Sequence, residues 1–151
     1  MSVPRVIPKT FHYTNDLAWQ FNRVGTMTSE GKPEMKVSSP QEFKGDAGYW
    51  TPEDLFVAAA NSCLMLTLLA YLERENIAVL FYESKATGTL EWVEGIYQFT
   101  EITIIPRLEL VDTSYAQRAE ELLLKAESTC LIANSIRARV NVEPHILAVD
   151  D

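Results

Sequence analysis

The stretch Thr51-Pro52-Glu53-Asp54-Leu55-Phe56-Val57-Ala58-Ala59-Ala60-Asn61-Ser62-Cys63-Leu64-Met65-Leu66-Thr67-Leu68-Leu69-Ala70-Tyr71-Leu72-Glu73-Arg74-Glu75 decides how the rest of the chain must fold. Thr51 suits an N-cap and Pro52 the first helical position. Glu53 and Asp54 place negative charge where unpaired N–H groups and the helix dipole favour it. Leu55 to Leu72 carries no charge, and at about 100° per residue its apolar positions cover every face rather than one stripe. That pattern predicts a central helix surrounded by protein. A run of about 18 residues is marginal for crossing a bilayer, and Asn61, Ser62 and Thr67 interrupt it, so a core helix is expected rather than a membrane span. Near Cys63 on the same face stand Ala59, Ala60, Thr67 and Ala70, small enough for a second helix to come close. Cys63 reads either as a small buried hydrophobe or as a reactive thiol.

The 151 residues are read as one domain, 1–151, long enough to bury a core without staples. A net charge of −8 argues against nucleic acid or an anionic membrane as partner. Met1-Ser2-Val3-Pro4-Arg5-Val6-Ile7-Pro8-Lys9-Thr10 has no apolar core of secretory length, so a cytoplasmic protein is expected. Two cysteines 67 positions apart in a reducing compartment do not suggest a structural disulfide, and no Cys-x-x-Cys is present. His12 and His145 lie near opposite ends without ligand spacing, so no metal and no organic cofactor is expected. The cysteines are two inert thiols or a redox pair.

Beyond a short Pro-bearing arm, Phe11 to Tyr13 and Leu17 to Thr28 read as strands joined by a turn at Asn15-Asp16. Along the second, Trp19, Phe21 and Arg23 share a face, so Arg23 points inward if the aromatics do, and outward if they face solvent or the strand bulges. Glu30 to Pro33 is a turn, Met35 to Val37 a short strand, and Ser38 to Trp50 a loop. After the helix, Ile77 to Trp92 alternates, with Tyr82, Ser84, Ala86, Gly88, Leu90 and Trp92 on one face. Tyr97 to Leu110 returns as the antiparallel partner across Val93 to Ile96. Tyr115, Ala119, Leu122, Leu123 and Ala126 form the stripe of a second helix preceded by caps at Asp112 to Ser114. Ser128-Thr129 caps a further short helix beginning at Cys130, and Arg137 to Glu143 is a last strand before Pro144 and an acidic tail.

Cys130 in the first turn of a helix would be favoured as thiolate. A buried central cysteine and a second at a helix start can run a peroxide cycle, in which one thiolate becomes a sulfenic acid and the other thiol condenses with it. The attacking sulfur needs a cation beside it and the cation needs an anchor, for which Arg23 and Glu53 are candidates. Glu53 and Cys63 are ten residues apart on one helix, roughly 15 Å at about 1.5 Å per residue. One arginine therefore does not touch both within a single chain. If Glu53 serves the site, it comes most simply from a second copy of the helix, which predicts a two-fold dimer with two shared sites.

Thr51-Pro52-Glu53-Asp54-Leu55-Phe56-Val57-Ala58-Ala59-Ala60-Asn61-Ser62-Cys63 resembles the Pro-Glu-x-Leu-(apolar)-Ala-Ala-x-x-x-x-Cys helix start of the OsmC/Ohr family, the osmotically inducible and organic hydroperoxide resistance proteins. Cys130-Leu131-Ile132-Ala133-Asn134-Ser135 is similar to the family's second cysteine segment, and the order of elements matches over nearly the whole chain. The resemblance implies an α+β fold in which antiparallel sheets wrap round two long central helices of an intertwined homodimer. It also implies reduction of hydroperoxides through a cysteine pair, with an external dithiol, small or protein-bound, as reductant. By matching, Cys63 is the peroxidatic cysteine, Cys130 the resolving one, Glu53 the carboxylate that orients an arginine, and Arg23 that arginine. Leu131 stands where well-characterised branches commonly show Pro, and Asn61-Ser62 is more polar than the usual neighbours, which leaves the branch and the preferred peroxide open. The alternative is a non-catalytic dimer of the same fold that binds an apolar small molecule or a protein, with the cysteines as packing.

Overall fold

The computed structural model describes residues 7–147, and the chain packs as two compact units, Met1–Pro52 and Glu53–Asp151. The start of the Pro-bearing arm and the end of the acidic tail lie outside the described residues.

The N-terminal unit is a three-stranded antiparallel sheet of β1 (Asp16–Phe21), β2 (Val24–Thr28) and β3 (Met35–Ser38), in that order. Phe11 to Tyr13 is not a strand, and the chain reverses at Asn22-Arg23 rather than at Asn15-Asp16. Asn22 makes this possible with φ 46°, a left-handed conformation that asparagine tolerates better than most residues. The Trp19 indole N–H closes the turn on the Asn22 carbonyl at 2.9 Å. The register shifts between Trp19 and Phe21, so period-two facing does not carry through to Arg23. Arg23 sits in the turn, exposed, and its guanidinium donates to the Phe43 carbonyl at 2.6 Å. Of the inward and outward positions that the strand pattern left open for it, the single chain shows the outward one, with the bulge. Trp19 and Phe21 are exposed in the single chain.

In the C-terminal unit α1 runs from Pro52 to Arg74. It ends where Asn76 turns left-handed at φ 57° and Ile77 N–H returns to Leu72 O at 2.9 Å, a C-terminal closure that asparagine permits in place of glycine. Only one stripe is fully buried, Ala60, Leu64, Leu68 and Leu72 at i, i+4 spacing. Within the single chain the helix is therefore fully enclosed along one stripe only. Leu66 is 60% exposed, and Phe56, Val57, Met65 and Leu69 are only half-buried. Phe56 and Val57 pack against the core, while Leu66 and much of that side of α1 are left without full cover by the described chain.

The stripe shares a core with Ile102, Ile104, Leu108 and Leu110, and with Leu122 and Leu123. The first four lie on β5 (Ile96–Leu110), which pairs antiparallel with β4 (Val79–Val93) through a turn at Glu94-Gly95, φ 48° and 88°. Two left-handed residues match the twist of a tight hairpin. Burial alternates along both strands as the sequence predicts, except that Trp92 at the open end is exposed and packs edge-on against Tyr97 at 5.0 Å. Leu122 and Leu123 belong to α2 (Ala116–Thr129), whose Ala119, Leu122, Leu123 and Ala126 are buried as expected, while Tyr115 is not.

The last strand is shorter than expected and divided. β6 (Arg139–Val142) and β7 (His145–Leu147) both run parallel to β5, opposite Glu101–Ile104 and Arg107–Glu109. Pro144 falls in one gap and Pro106 in the facing one. Neither has an N–H to give a ladder, so the pairing breaks there and resumes.

Candidate active site

Cys63 lies midway along α1, one turn before Thr67, whose hydroxyl donates to the Cys63 carbonyl at 2.7 Å and stands 3.9 Å from its sulfur. Cys130 reaches the same place from the far end of α2. Both thiols are free, and they lie near enough for each to shift the ionisation of the other. Cys63, expected to be buried, is half-buried, and Cys130 is 2% exposed.

Cys130 does not open a helix. α2 continues through Ser128 and Thr129, and Cys130 leaves it with φ −58° and ψ 119°. The expected capping fails because the Ser128 and Thr129 hydroxyls bond backwards, both to the Lys125 carbonyl, at 2.9 and 2.8 Å. Ser and Thr in a last turn have this choice, and here the helix behind them takes the bond. Thr129 also meets the Tyr71 hydroxyl at 2.7 Å, tying the end of α2 to α1 two turns beyond Cys63. After Cys130 the chain wraps into a turn closed by Asn134 N–H on the Cys130 carbonyl at 3.0 Å, and only Ala133–Ser135 form a single 3-10 turn.

This turn decides the electrostatics. Burial pushes the Cys63 thiol up, but hydrogen bonds from the Ile132 amide, the Cys130 thiol, the Thr67 hydroxyl and the Leu131 amide outweigh it, and its pKa lies below the ordinary thiol value. For Cys130, burial is the largest influence and the neighbouring Cys63 adds to it. The Ala133 and Ile132 amides do not compensate, and its pKa is raised. One sulfur is biased toward thiolate and the other toward thiol, by backbone and neighbours rather than by a helix dipole.

Of the four residues singled out from sequence, the structure brings Cys63 and Cys130 together. Glu53 is in the first turn of α1, half-buried, and its Oε2 is buried without a hydrogen-bond partner among the described residues. Arg23 belongs to the N-terminal unit and holds Phe43. Sequence reading missed the Leu131 and Ile132 amides, which every residue but proline carries and which therefore leave no mark in composition. Thr67 was visible at i+4 but passed as a small neighbour. Asn61, conspicuous for its polarity, accepts from the Ser84 hydroxyl at 2.7 Å and so pins α1 to β4. Among the described residues no three His, Cys, Asp or Glu side chains gather as a metal would require.

An uncharacterized protein of Bacillus subtilis strain 168, YmaD, is 28% identical over 137 residues, covering 87% of this chain and 91% of that protein. Among solved structures, an OsmC-like protein of unknown function from Vibrio cholerae superposes with TM-score 0.82 at 24% identity, over 89% of this chain and 99% of that one. The organic hydroperoxide resistance protein OhrB of Bacillus subtilis does so with TM-score 0.63 at 21% identity, over 89% and 98%. The fold is thus the α+β fold of these proteins. The OsmC-like protein family matches residues 45–145, which take in α1, both cysteines and the whole central hairpin, and the chain belongs to that family.

Proposed function

We propose that the protein is a thiol-dependent peroxidase that reduces hydroperoxides, organic ones among them. One observation carries this reading: two free thiols from different elements meet, the more accessible biased toward thiolate and the buried one toward thiol. The Cys63 thiolate attacks the terminal oxygen of ROOH, the O–O bond breaks, and sulfur is oxidised to the sulfenic acid Cys63–SOH. The other oxygen leaves as RO⁻ and takes a proton to become ROH. Cys130 sulfur then attacks Cys63 sulfur, an S–S bond forms, and the hydroxyl leaves with the Cys130 proton as water. An external dithiol returns both thiols and is itself oxidised. Neighbours named for organic hydroperoxide resistance support the substrate class.

In this reading the site is completed by a second copy of the chain. The apolar side of α1 left uncovered supports a helix crossing there, and the unpaired Glu53 oxygen supports a cation docking on it, since a buried carboxylate without a partner is costly. We assign Arg23 to that role, with the dimer placing Glu53 of one copy at the cysteines of the other.

The test is the intact mass and thiol count of the reduced protein before and after one equivalent of cumene hydroperoxide. Loss of two protons and both thiols within one chain is expected. Cys63→Ser is expected to abolish peroxide consumption, and Cys130→Ser to allow one turnover and then stall as oxidised Cys63. Sustained turnover by Cys63→Ser would sink the mechanism.

A second reading, a non-catalytic module that binds an apolar small molecule, is favoured by two observations. Arg23 is exposed in its turn, and an open cleft of about 460 Å³ lies at the end of α1, lined by Leu69, Leu72, Ile77 and Val79. Two intact thiols after peroxide would favour it.

A further inference from the structure

We propose that Tyr71 is the positioning residue of the resolving step: its hydroxyl latches the last turn of α2 to α1 and so holds Cys130 where it can meet Cys63. The inference deepens the peroxidase reading and rests on it for its purpose.

The latch follows from how the protons are committed. The Thr129 hydroxyl has one proton and gives it to the Lys125 carbonyl at 2.8 Å, so in its 2.7 Å contact with the Tyr71 hydroxyl the tyrosine is the donor. Lys125 closes the circuit from the other side. Its ammonium stands 4.5 Å from the centre of the Tyr71 ring, and Arg74 of α1 stands 5.7 Å from it. One tyrosine of α1 thus engages the end of α2 through both its hydroxyl and its ring face. Away from the sulfurs, no other hydrogen bond among the described residues joins α1 to residues 128–135.

The neighbour of Thr129 is Cys130, which leaves the helix at ψ 119°. Beyond it the turn closes on itself, through Asn134 N–H on the Cys130 carbonyl at 3.0 Å and the Asn134 side chain on the Ser128 carbonyl at 3.1 Å. It is therefore carried by the end of α2 as one piece. On α1, Cys63, Thr67 and Tyr71 follow one another at i, i+4 and i+8 on one face. Helical side chains lean toward the N-terminus, which brings the Tyr71 hydroxyl back toward the Cys63 end. The bond that fixes Thr129 then fixes the approach of its neighbour, and holding two reacting groups together speeds their reaction without altering either. Speed matters here because a waiting Cys63 sulfenic acid meets a second hydroperoxide: the O–O bond breaks, ROH leaves and sulfur is oxidised to a sulfinic acid outside the cycle.

The experiment reads the two sulfur steps separately, with the reduced protein and one equivalent of dithiodipyridine. The more accessible Cys63 attacks a reagent sulfur as thiolate, the reagent S–S bond breaks and one thiopyridone is released. Cys130 sulfur then attacks Cys63 sulfur in the mixed disulfide, the protein S–S bond forms, and the second thiopyridone leaves with the Cys130 proton. Tyr71→Phe deletes only the hydroxyl and is expected to slow the second phase relative to the first about fivefold, the worth of one ordinary hydrogen bond. Thr129→Val is expected to do the same and Thr129→Ser to keep the wild-type ratio. The double variant Tyr71→Phe/Thr129→Val is expected to be no slower than either single one. A ratio unmoved by Tyr71→Phe overturns the latch, and effects that add in the double variant overturn the pairing of the two hydroxyls. The reagent acts without peroxide, so failure of the peroxidase reading shows elsewhere, as wild-type thiols left intact by cumene hydroperoxide.

Discussion

At Cys63 a sulfur in the middle of an apolar helix is biased toward thiolate, largely by groups that arrive from another element. Its pKa is pushed up by burial and brought down further by the Ile132 amide, Cys130, Thr67 and the Leu131 amide, so the net direction is down. The rate of its reaction with a hydroperoxide should therefore rise with pH up to a midpoint below the ordinary thiol value and level off above it. Stopped-flow single turnover from pH 5 upward is the check. A profile still climbing through about pH 8.5, the ordinary thiol value, would mean that the hydrogen bonds do not offset burial. Cys130 carries the opposite bias and is expected to remain a thiol across most of that range. The candidacy of both cysteines was legible in the chain. The cause of their opposite biases was not, because it depends on what the fold packs against each sulfur.

At the scale of elements, α1 is pinned to the hairpin by close approach at one place and by a polar bond at another. Gly88 on β4 faces α1 so closely that an added Cβ would lie 2.5 Å from Val57 Cγ2 and 2.9 Å from Phe99 Cε1. Gly88→Ala is therefore expected to cost about 1–3 kcal/mol through overpacking. The cost should appear in urea as a lower midpoint with unchanged slope, and equal stability would show that Val57 and Phe99 shift freely. One turn along, the Asn61–Ser84 bond explains a polar residue two positions before Cys63. Alternation over β4 and β5 and the stripe of α2 could be read from periodicity because one face of each meets the core. The N-terminal hairpin could not: Trp19 and Phe21 are exposed, so no buried face set the register, and of two asparagines able to turn left-handed the chain reverses at Asn22.

For the whole molecule, the expected shared site yields a complementation test. Cys63→Ser and Glu53→Gln chains, each inactive alone, are unfolded together and refolded as a mixture. If Glu53 serves the cysteines of the other copy, each mixed dimer carries one intact site, and the mixture should regain about a quarter of wild-type activity, given random pairing of two-fold dimers. No recovery, with mixed dimers present by mass, would put Glu53 beside its own cysteines, and an active Glu53→Gln chain would put it outside the site. The uncovered apolar side of α1 gives this arrangement its physical motive. A helix apolar all round that buries one stripe within its own chain has more to bury elsewhere.

The sequence by itself determined the extent of α1, the long hairpin, the buried stripe of α2 and the two thiols worth attention. Each of these is written in local periodicity, caps or residue type. Only the tertiary structure decided that Cys130 ends α2, because the hydroxyls of Ser128 and Thr129 had equally local partners before and after them. It also decided the two parallel strands that follow, because pairing across the chain is a matter of which edge is free. The meeting of Cys63 with Cys130 and its amides belongs to the same class. Proximity of residues 67 or more positions apart is set by the packing of α1 and α2 on one sheet, and no spacing in the chain announces it.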